Sequence, residues 1–306
     1  MMQVHFGEEL VQAEWTRSVG CLGTFDGVHL GHRKVISTAV DRARERGLPC
    51  ILVTFDRHPA AILAPERCPK PIAPLMANVK AFETLGVSLA LILPFTLQLS
   101  QTSAQEFLDT VLIGEIKSEM LVVGHDFAFG RGREGNTEWL KQRIETEVIP
   151  PFEIDGHRVS SSEIRRSVEA GNVEHATKLL GRPFAVQGVV VTGNRMGREL
   201  GYPTVNLARS YDGILPSNGI YSGIAWTNLG RFRAAISIGI RPTVGGGDRT
   251  LEAFLLDFPS REIYGSSVEL EFHRRLRNEE EFDSLATLKA QMAQDVEMVA
   301  NDSMLA

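Results

Sequence analysis

The chain has 306 residues, more than a single hydrophobic core usually holds, so we expect two domains. Hydrophobic residues make up 43% of the sequence and charged residues 23%, which is typical of an ordinary soluble globular protein. The formal net charge of −6 argues against a general binder of nucleic acid, but it leaves room for a local basic site that binds a nucleotide.

Several features of the sequence indicate where the protein works. The N-terminal residues include Glu8, Glu9 and Glu14 and lack the basic segment and apolar run of a signal peptide. The longest apolar stretch, residues 87–95, is too short to span a bilayer. The three cysteines form no CxxC pair, which favours reduced thiols. We therefore expect a cytoplasmic protein that acts on small molecules, binds neither membrane nor nucleic acid and has no obligate protein partner.

Strands and helices alternate in the first half of the chain. Apolar runs predict strands at residues 18–22, 51–55, 89–93 and 120–123. Apolar residues recur at helical spacing from Val35 to Ala43 before Gly47, a suitable C-terminal cap, and residues 103–112 favour another helix. The alternation predicts a Rossmann-like α/β domain, in which helices cover both faces of a parallel sheet. Ligands of such sheets bind beyond the carboxyl ends of the strands.

The segment GTFDGVHLGH, residues 23–32, lies where the first predicted strand passes into a helix. Free backbone N–H groups and the positive end of the helix dipole suit a phosphate there. Gly27 and Gly31 allow a ligand to approach the backbone closely. His29 and His32 are three residues apart on the first helical turn, so both imidazoles can face that ligand and stabilise charge on a polyphosphate. The motif predicts an enzyme that handles nucleotides.

Other polar segments follow buried strands and point to the same edge of the predicted sheet. TFDRHP and GHDFAFG place four side chains there: Asp56, His58, Asp126 and Phe127. In VSSSEIR, Ser160 is followed three residues later by Glu163, which is a capping-box pattern. A helix that begins there would present N–H groups, serine hydroxyls and Arg165 to an anion.

These residues also allow other interpretations. His29, His32 and His58 could bind a transition metal and make the protein a hydrolase, although no HExxH arrangement is present. Two histidines three residues apart could simply cap a helix. The serines at 160–162 could likewise be no more than a cap, and Phe127 could belong to the core.

The pattern changes near residues 181–183, so we expect domains at residues 1–182 and 183–306. Strand-like runs then follow one another without helices between them, at residues 184–191, 220–226, 232–238, 252–256 and 268–272. Such spacing predicts a small antiparallel β-barrel. A final helix is expected from about residue 283 to 299, with an apolar stripe formed by Leu285, Leu288, Met292 and Val299. We expect residues 301–306 to fray.

The segment GNRMGRELGYPTVNL, residues 193–207, is the candidate phosphate-binding region of the second half. No Walker A string occurs, so a kinase here must hold phosphates in another way. Glycines and arginines make a flexible basic loop that can fold over a phosphate: Gly193, Arg195, Gly197, Arg198 and Gly201. Thr204 and Asn206 lie two apart in an extended segment, so they point to the same face and can hold Mg²⁺ and phosphate oxygens. The same residues could also form only a polar turn.

Both halves resemble the family of bacterial bifunctional riboflavin kinase/FMN adenylyltransferases, also called FAD synthetases. GTFDGVHLGH is similar to the HxGH signature of nucleotidyltransferases in the wording of this family, and PTVN resembles the PTAN motif of riboflavin kinases. The resemblance covers about residues 15–300, with the motifs in the family's order. It implies that a C-terminal barrel phosphorylates riboflavin to FMN with ATP and Mg²⁺. An N-terminal nucleotidyltransferase domain would then adenylylate FMN to FAD and release pyrophosphate.

The resemblance also implies roles for residues of the N-terminal domain. The adenylyl donor would be held by Gly23, Phe25, His29, Gly31 and His32, the two histidines being catalytic. The phosphates of ATP would bind Ser160, Ser161, Ser162 and Arg165. Asp126 and Phe127 would line the site near the nucleotide or the flavin, and we assign them to the flavin.

In the C-terminal domain, the resemblance implies that Glu252 is the catalytic base that activates the ribityl 5′-hydroxyl of riboflavin. ATP and its phosphates would bind Gly197, Arg198, Gly201, Thr204 and Asn206. Thr204 and Asn206 would also hold Mg²⁺, and Arg195 would contact the flavin. Val205 replaces the usual alanine of the motif and should point away from its polar neighbours, which leaves the site intact.

Two other functions compete with this one. A nucleotidyltransferase that acts on pantetheine phosphate or nicotinate mononucleotide would explain the first half of the chain but leave the barrel without a task. A flavin- or nucleotide-binding regulatory module would have lost one of the activities. The intact pairs His29/His32 and Thr204/Asn206, together with Glu252, argue against such a loss.

Overall fold

The computed structural model describes residues 2–7, 15–193, 201–209, 212–240, 249–259 and 261–305. The chain divides into two compact units, Met1–Ser161 and Ser162–Ala306. The division falls earlier in the chain than the change in sequence pattern, and the functional boundary after residue 182 stays a prediction. Within the described residues, every helix is too short or too polar to cross a membrane.

One six-stranded sheet forms the centre of the first unit. Its strands are β1 (Gln3–Phe6), β2 (Ser18–Leu22), β3 (Cys50–Phe55), β4 (Leu89–Leu93), β5 (Ser118–Gly124) and β6 (Glu145–Ile149). They lie in the order β1-β4-β3-β2-β5-β6, and every neighbouring pair is parallel. The four predicted strands are β2 to β5, whereas the edge strands β1 and β6 are more polar and lack an apolar run.

Helices cover both faces of this sheet. On one face lie α1 (Leu30–Arg46) and α2 (Leu75–Thr84). The opposite face is covered by Ala104–Phe107, the π-helix Leu108–Glu115 and Thr137–Lys141. Two short helices follow strands β3 and β4: Ala60–Leu63 and Leu97–Gln101. The predicted α/β domain is confirmed, and Gly47 ends α1 with a left-handed φ of 66°, as its position predicts.

The three cysteines have different surroundings. Cys21 on β2 and Cys50 on β3 are buried, whereas Cys68 is half-buried in the loop before α2. The pKa of the Cys21 thiol lies well above its usual range. A hydrogen bond with Cys50 contributes most to this rise, followed by burial and by electrostatic repulsion from Cys50. Cys21 therefore stays a protonated, unreactive thiol at neutral pH.

A closed antiparallel barrel forms the second unit. It follows two helices, α3 (Ser161–Glu169) and α4 (Val173–Leu180). The barrel strands are β7 (Phe184–Val191), β8 (Thr204–Arg209), β9 (Gly219–Thr227), β10 (Gly230–Ile240), β11 (Arg249–Leu255) and β12 (Ser267–Arg277). Around the barrel they run in the order β7-β8-β11-β10-β9-β12, so the predicted barrel is confirmed. Helix α4 packs against β12 and β7.

The final helix, α5 (Leu285–Ala300), packs against β9 and β10. Its buried face contains Asp295 and Val299. Leu285 was expected in the apolar stripe but is 64% exposed, because it occupies the first position of the helix. The carboxylate of Asp295 accepts two hydrogen bonds of 2.8 Å from Arg277 at the end of β12, which explains a charge on the buried face.

The expectation that the C-terminal residues fray is wrong for those that the structure describes. Leu305 is fully buried and packs with Ile224. The buried hydroxyl of Ser222 donates a 2.5 Å hydrogen bond to the carboxylate of Asp302, and Arg231 donates to the carbonyl of Leu305 at 2.9 Å. Side chains of the barrel thus tie the tail down, although its sequence shows no regular pattern.

Candidate active sites

The turn between β2 and α1 brings the first motif to the carboxyl end of the central strand. Phe25, Gly27 and Val28 have φ values of 44°, 76° and 40°, respectively. A β-branched residue such as Val28 seldom adopts this region, and each such residue costs on the order of 1–3 kcal/mol. A Cβ on Gly27 would lie 2.8 Å from Ile72 Cγ2, so the glycine is required by packing as well as by its φ.

His29 and His32 lie against one another at the start of α1. The Nδ1 atom of His29 accepts a 3.1 Å hydrogen bond from the backbone N–H of His32 and so caps the helix. The two rings stack with centroids 3.5 Å apart. Because Nδ1 of His29 accepts a hydrogen bond, the neutral ring carries its proton on Nε2. The helix-cap and phosphate-donor interpretations of these histidines are therefore compatible.

Phe25, Gly23 and Gly31 shape the space around the two histidines. The Phe25 ring is buried and meets the His32 ring edge-on, with centroids 5.4 Å apart. A Cβ on Gly23 would lie 3.0 Å from that phenyl ring, and one on Gly31 would lie 3.1 Å from Cε1 of His29. Both glycines therefore make room for the rings of the motif itself, a reason that the sequence did not reveal.

Polar side chains from other segments hold the backbone of the turn. The hydroxyl of Thr54, at the end of β3, donates to the carbonyl of Thr24 at 3.3 Å. The hydroxyl of Ser161 donates to the carbonyl of Asp26 at 3.3 Å. Asp26 and Asn78 also hold the turn, through contacts that sequence analysis missed because the partners are distant in the chain. No local motif could have identified them.

The TFDRHP segment connects neighbouring strands. Asp56 accepts a 2.8 Å hydrogen bond from the backbone of Phe95, just after β4. Partial burial raises the pKa of Asp56, but hydrogen bonds from Arg57 and Phe95 outweigh this, so the pKa lies below its usual value. Nδ1 of His58 accepts a 3.1 Å hydrogen bond from the backbone N–H of Ala60, the first residue of a short helix. Among the described residues, no group of three His, Cys, Asp or Glu side chains could hold a metal ion.

Asp126 and Phe127 follow β5 at the same edge of the sheet. The Asp126 carboxylate accepts a 2.5 Å hydrogen bond from Arg158. Partial burial raises the pKa of Asp126, but Arg158 and the nearby His125 outweigh this effect and lower the pKa. Phe127 stacks on Phe129, with ring centroids 5.5 Å apart. Phe127 is half-buried beside the core, so its ring can serve both the core and a ligand.

The serine-rich segment leads into α3 as its sequence predicts. Ser160 directly precedes the helix, Ser161 is its first residue and Ser162 is exposed. Arg165, one turn further, is half-buried. Glu163 forms an ion pair with Arg166 and lies 3.8 Å from Nε2 of His175. The N-terminus of α3 is thus bordered by hydroxyl groups, which suits an anion.

The second candidate site lies on the outer surface of the barrel, where β8 pairs with β11. The hydroxyl of Thr204 donates a 3.2 Å hydrogen bond to the carboxylate of Glu252. Asn206 lies directly opposite Glu252 in the ladder. Leu207 on β8 and Ala253 on β11 face the buried interior, so the polar side chains share the outer surface. The structure therefore brings together the three predicted residues.

Other residues surround this pair of strands. Ser237 on β10 lies opposite Glu252, on the side away from Asn206. The sequence did not reveal Ser237 as a neighbour of Glu252, because the pairing of strands is not visible in a local motif. A Cβ on Gly193 would lie within 2.5 Å of the Asn206 amide, so a larger residue there would have to displace that side chain. Gly201 has a φ of 88°. Three predicted residues lie outside the described part of the chain: Arg195, Gly197 and Arg198.

Comparison with known families gives a match to each unit. The FAD synthetase family model matches residues 11–163, and the riboflavin kinase family model matches residues 180–302. The two candidate sites lie in different matched regions: the HxGH-like turn lies in the first and Glu252 in the second.

Individual proteins match over nearly the whole chain. The bifunctional riboflavin kinase/FMN adenylyltransferase of Bacillus subtilis (strain 168) is 32% identical over 294 residues, which cover 94% of this chain and 92% of that protein. The protein of the same description from Pseudomonas fluorescens is 35% identical and is covered to 96%, as is this chain. The crystal structure of a macrolide-efflux protein from Streptococcus pneumoniae is 31% identical, with a TM-score of 0.91 over 99% of this chain and 100% of that one.

Proposed function

Since this chain belongs to the family of bifunctional riboflavin kinase/FMN adenylyltransferases and catalyses both reactions, we propose which of its residues serve each step. The C-terminal domain phosphorylates riboflavin to FMN, and the N-terminal domain adenylylates FMN to FAD with release of pyrophosphate. The observation that carries the assignment of sites is that each matched region contains its own cluster of polar groups, at the turn before α1 and on the β8–β11 ladder.

We assign adenylyl transfer to the start of α1. The terminal phosphate of FMN attacks the α-phosphorus of ATP, so the bond to the leaving pyrophosphate breaks as the new P–O bond forms. This step needs alignment and stabilisation of negative charge more than a covalent nucleophile. Nε2 of His29 donates to a phosphate oxygen, because Nδ1 is occupied by the helix cap. His32 stacks on it and meets the same triphosphate.

Other residues of the N-terminal site bind the substrates. We propose that Gly23, Phe25 and Gly31 lie around the adenylyl donor. Phe25 contributes by supporting the ring of His32. The phosphates of ATP bind the start of α3 through Ser160, Ser161, Ser162 and Arg165. The flavin lies near Asp126 and Phe127, where the Phe127–Phe129 stack offers an aromatic surface.

We assign the kinase reaction to the β8–β11 ladder. Glu252 accepts the proton of the ribityl 5′-hydroxyl as that oxygen attacks the γ-phosphorus of ATP in line with the departing ADP. The hydrogen bond from Thr204 orients the Glu252 carboxylate. Gly197, Arg198 and Gly201 bind phosphate groups with Thr204 and Asn206, and Arg195 contacts the flavin.

The residues of this ladder suit Mg²⁺. The Thr204 hydroxyl and the Asn206 amide oxygen are hard oxygen ligands on one surface, next to a carboxylate that already contacts Thr204. We propose that these two residues hold the ion together with the phosphates of ATP. When bound, Mg²⁺ neutralises phosphate charge in the kinase reaction.

We further propose a functional boundary after residue 182, which assigns residues 1–182 to adenylyl transfer and 183–306 to the kinase. The predicted phosphate-binding residues of α3 then belong to the first activity. We place both reactions in the cytoplasm, where ATP is available, and require no protein, nucleic acid or membrane partner for either.

The test is a chromatographic assay of the full chain with riboflavin, ATP and Mg²⁺, run in parallel with FMN in place of riboflavin. Glu252→Ala should abolish FMN formation but leave FMN adenylylation within about twofold of the unmodified enzyme. His29→Ala combined with His32→Ala should leave FMN formation within about twofold and lower FMN adenylylation to a measurable residual rate, about 1,000-fold below that of the unmodified enzyme. Loss of both activities from either variant, in a protein that retains its melting temperature, would refute the assignment of two separate sites.

A further inference from the structure

Two side chains outside the predicted set hold the turn that precedes the histidines. The Asp26 carboxylate accepts hydrogen bonds from the backbone N–H of Ile72 at 3.1 and 3.0 Å and from that of Ala73 at 3.4 Å. The amide oxygen of Asn78, on α2, accepts from the backbone N–H of Gly27 at 3.2 Å. Asn78 is only 6% exposed. The turn is therefore fastened to the segment around Ile72 and to the first turns of α2.

The turn needs these hydrogen bonds because its backbone conformation is unfavourable by itself. Phe25 and Val28 have left-handed φ values without being glycine, and they flank the two fastened residues, Asp26 and Gly27. Conformations of this kind persist only where surrounding contacts impose them. The next residue in the chain is His29, whose backbone must be extended for its ring to cap α1. Relaxation of the turn would therefore move the His29 ring first.

We infer that Asp26 and Asn78 are positioning residues for adenylyl transfer, which hold the turn so that the imidazoles of His29 and His32 meet the triphosphate. This inference rests on the role proposed above for the two histidines. Asp26 and Asn78 act through the backbone rather than by touching substrate, since their oxygen atoms accept hydrogen bonds from the backbones of Ile72, Ala73 and Gly27. Catalysis by alignment is sensitive to displacements of about 1 Å, which can cost about 100-fold in rate.

Asp26→Ala and Asn78→Ala should each lower kcat for conversion of FMN to FAD by about 10- to 100-fold. Riboflavin phosphorylation by the same full-length protein should change by less than about twofold, because the kinase site has its own residues. Asn78→Asp retains an oxygen that can accept from Gly27 and should lose less activity than Asn78→Ala. The matched control is Asn136→Ala, which removes a helix-capping amide bonded to Trp139 in the same unit, and it should stay within about twofold.

A cycle with the histidine variants separates positioning from general destabilisation. Added to His29→Ala/His32→Ala, the Asp26→Ala change should cause no further loss beyond about twofold, because the groups that it positions are gone. An equal loss in both backgrounds, or an unchanged rate for Asp26→Ala alone, would overturn the inference. If Asp26→Ala does not fold, Asn78→Ala enters the same cycle. If the double histidine variant keeps full FMN adenylylation, both the proposed role of the histidines and this inference fail.

Discussion

His29 combines a structural task and a proposed chemical task in one imidazole ring. Nδ1 accepts from the backbone of His32, and this bond leaves Nε2–H as the donor of the neutral ring. His29 is 5% exposed and its ring stacks on His32, so few orientations are open to the ring. The two tasks can be separated by a side chain that retains the cap but lacks the ring.

Asparagine at position 29 should separate them, because it is a favoured N-cap and has no imidazole. His29→Asn should be more stable than His29→Ala by about 1 kcal/mol, as measured by urea unfolding. Both variants should lose FMN adenylylation by about tenfold or more, since neither can donate from Nε2. Full activity in His29→Asn would show that the ring serves only as a cap.

Thr204 permits a similar test in the barrel. Thr204→Val removes the hydroxyl that donates to Glu252 while keeping the shape of the side chain. A hydrogen bond to a charged group contributes about 1.5–3 kcal/mol, so riboflavin phosphorylation should fall by about 10- to 100-fold. Thr204→Ser, which keeps the hydroxyl, is the matched control and should retain most activity. Equal rates for the two variants would contradict the proposed role of the hydroxyl.

Sequence patterns identify side chains that lie close together in the chain more readily than those that meet by folding. His29 with His32, and Thr204 with Asn206, are visible because the spacing of a helix or strand places each pair on one face. Asp26 reaches Ile72 across 46 positions, and Asn78 reaches Gly27 across 51. Those contacts follow from the packing of α2 beside the turn, which no local pattern encodes.

At the scale of elements, apolar runs predicted strands well wherever both faces are buried. Strands β2 and β4 are buried at every position, and their predicted and observed bounds agree. The edge strands β1 and β6 were missed, since only one side of each is paired and their sequences are correspondingly polar. The bounds of β10 and β12 extend beyond their apolar runs because barrel pairing continues through charged residues.

Helix α5 shows what an apolar pattern cannot reveal about attachment. Arg277 and Asp295 form a bidentate pair whose side chains are 15% and 7% exposed, and this pair joins β12 to α5. The amide of Gln291 donates a further hydrogen bond of 3.1 Å to Asp295. The apolar stripe predicted that one face would be buried, but it could not predict that a charge pair occupies the centre of that face.

Asp295→Ala should therefore destabilise the second unit strongly. It leaves the Arg277 guanidinium largely buried without its carboxylate, which costs about 3–5 kcal/mol. Urea unfolding followed by circular dichroism measures the loss. Glu297→Ala, an exposed site on the same helix, is the control and should change stability by less than about 0.5 kcal/mol. A loss below about 1 kcal/mol for Asp295→Ala would mean that water reaches Arg277 and that α5 is held by its apolar contacts.

At the scale of the whole molecule, the parallel sheet and the barrel belong to separate compact units. Helix α4 belongs to the second unit, whereas the predicted boundary after residue 182 assigns it to the first domain. The apolar side chains of α4 are buried, including Val173, Ala176 and Leu179. Arg275 on β12 donates to the carbonyl of Ala170 in the connection between the helices. The barrel thus packs against residues that the predicted boundary after residue 182 assigned to the N-terminal domain.

A comparison of two fragments tests this division. The fragment 162–306 retains α4 and should have a melting temperature several degrees above that of 183–306, which exposes the apolar surface that α4 covers. Riboflavin phosphorylation should be retained by the longer fragment at the rate of the full chain. Equal melting temperatures and rates would place the physical boundary after residue 182, as the sequence pattern predicted.

The unequal burial of the cysteines makes the protein suitable for spectroscopic labelling without prior mutagenesis. Cys21 and Cys50 lie in the core, so a maleimide dye should react with Cys68 alone while the fold is intact. Cys68 is four residues from Ile72, whose backbone N–H is bonded to Asp26. A fluorophore at this position would report on the segment that holds the turn to which we assign adenylyl transfer. Its emission could therefore follow ATP and FMN binding in real time, independently of product formation.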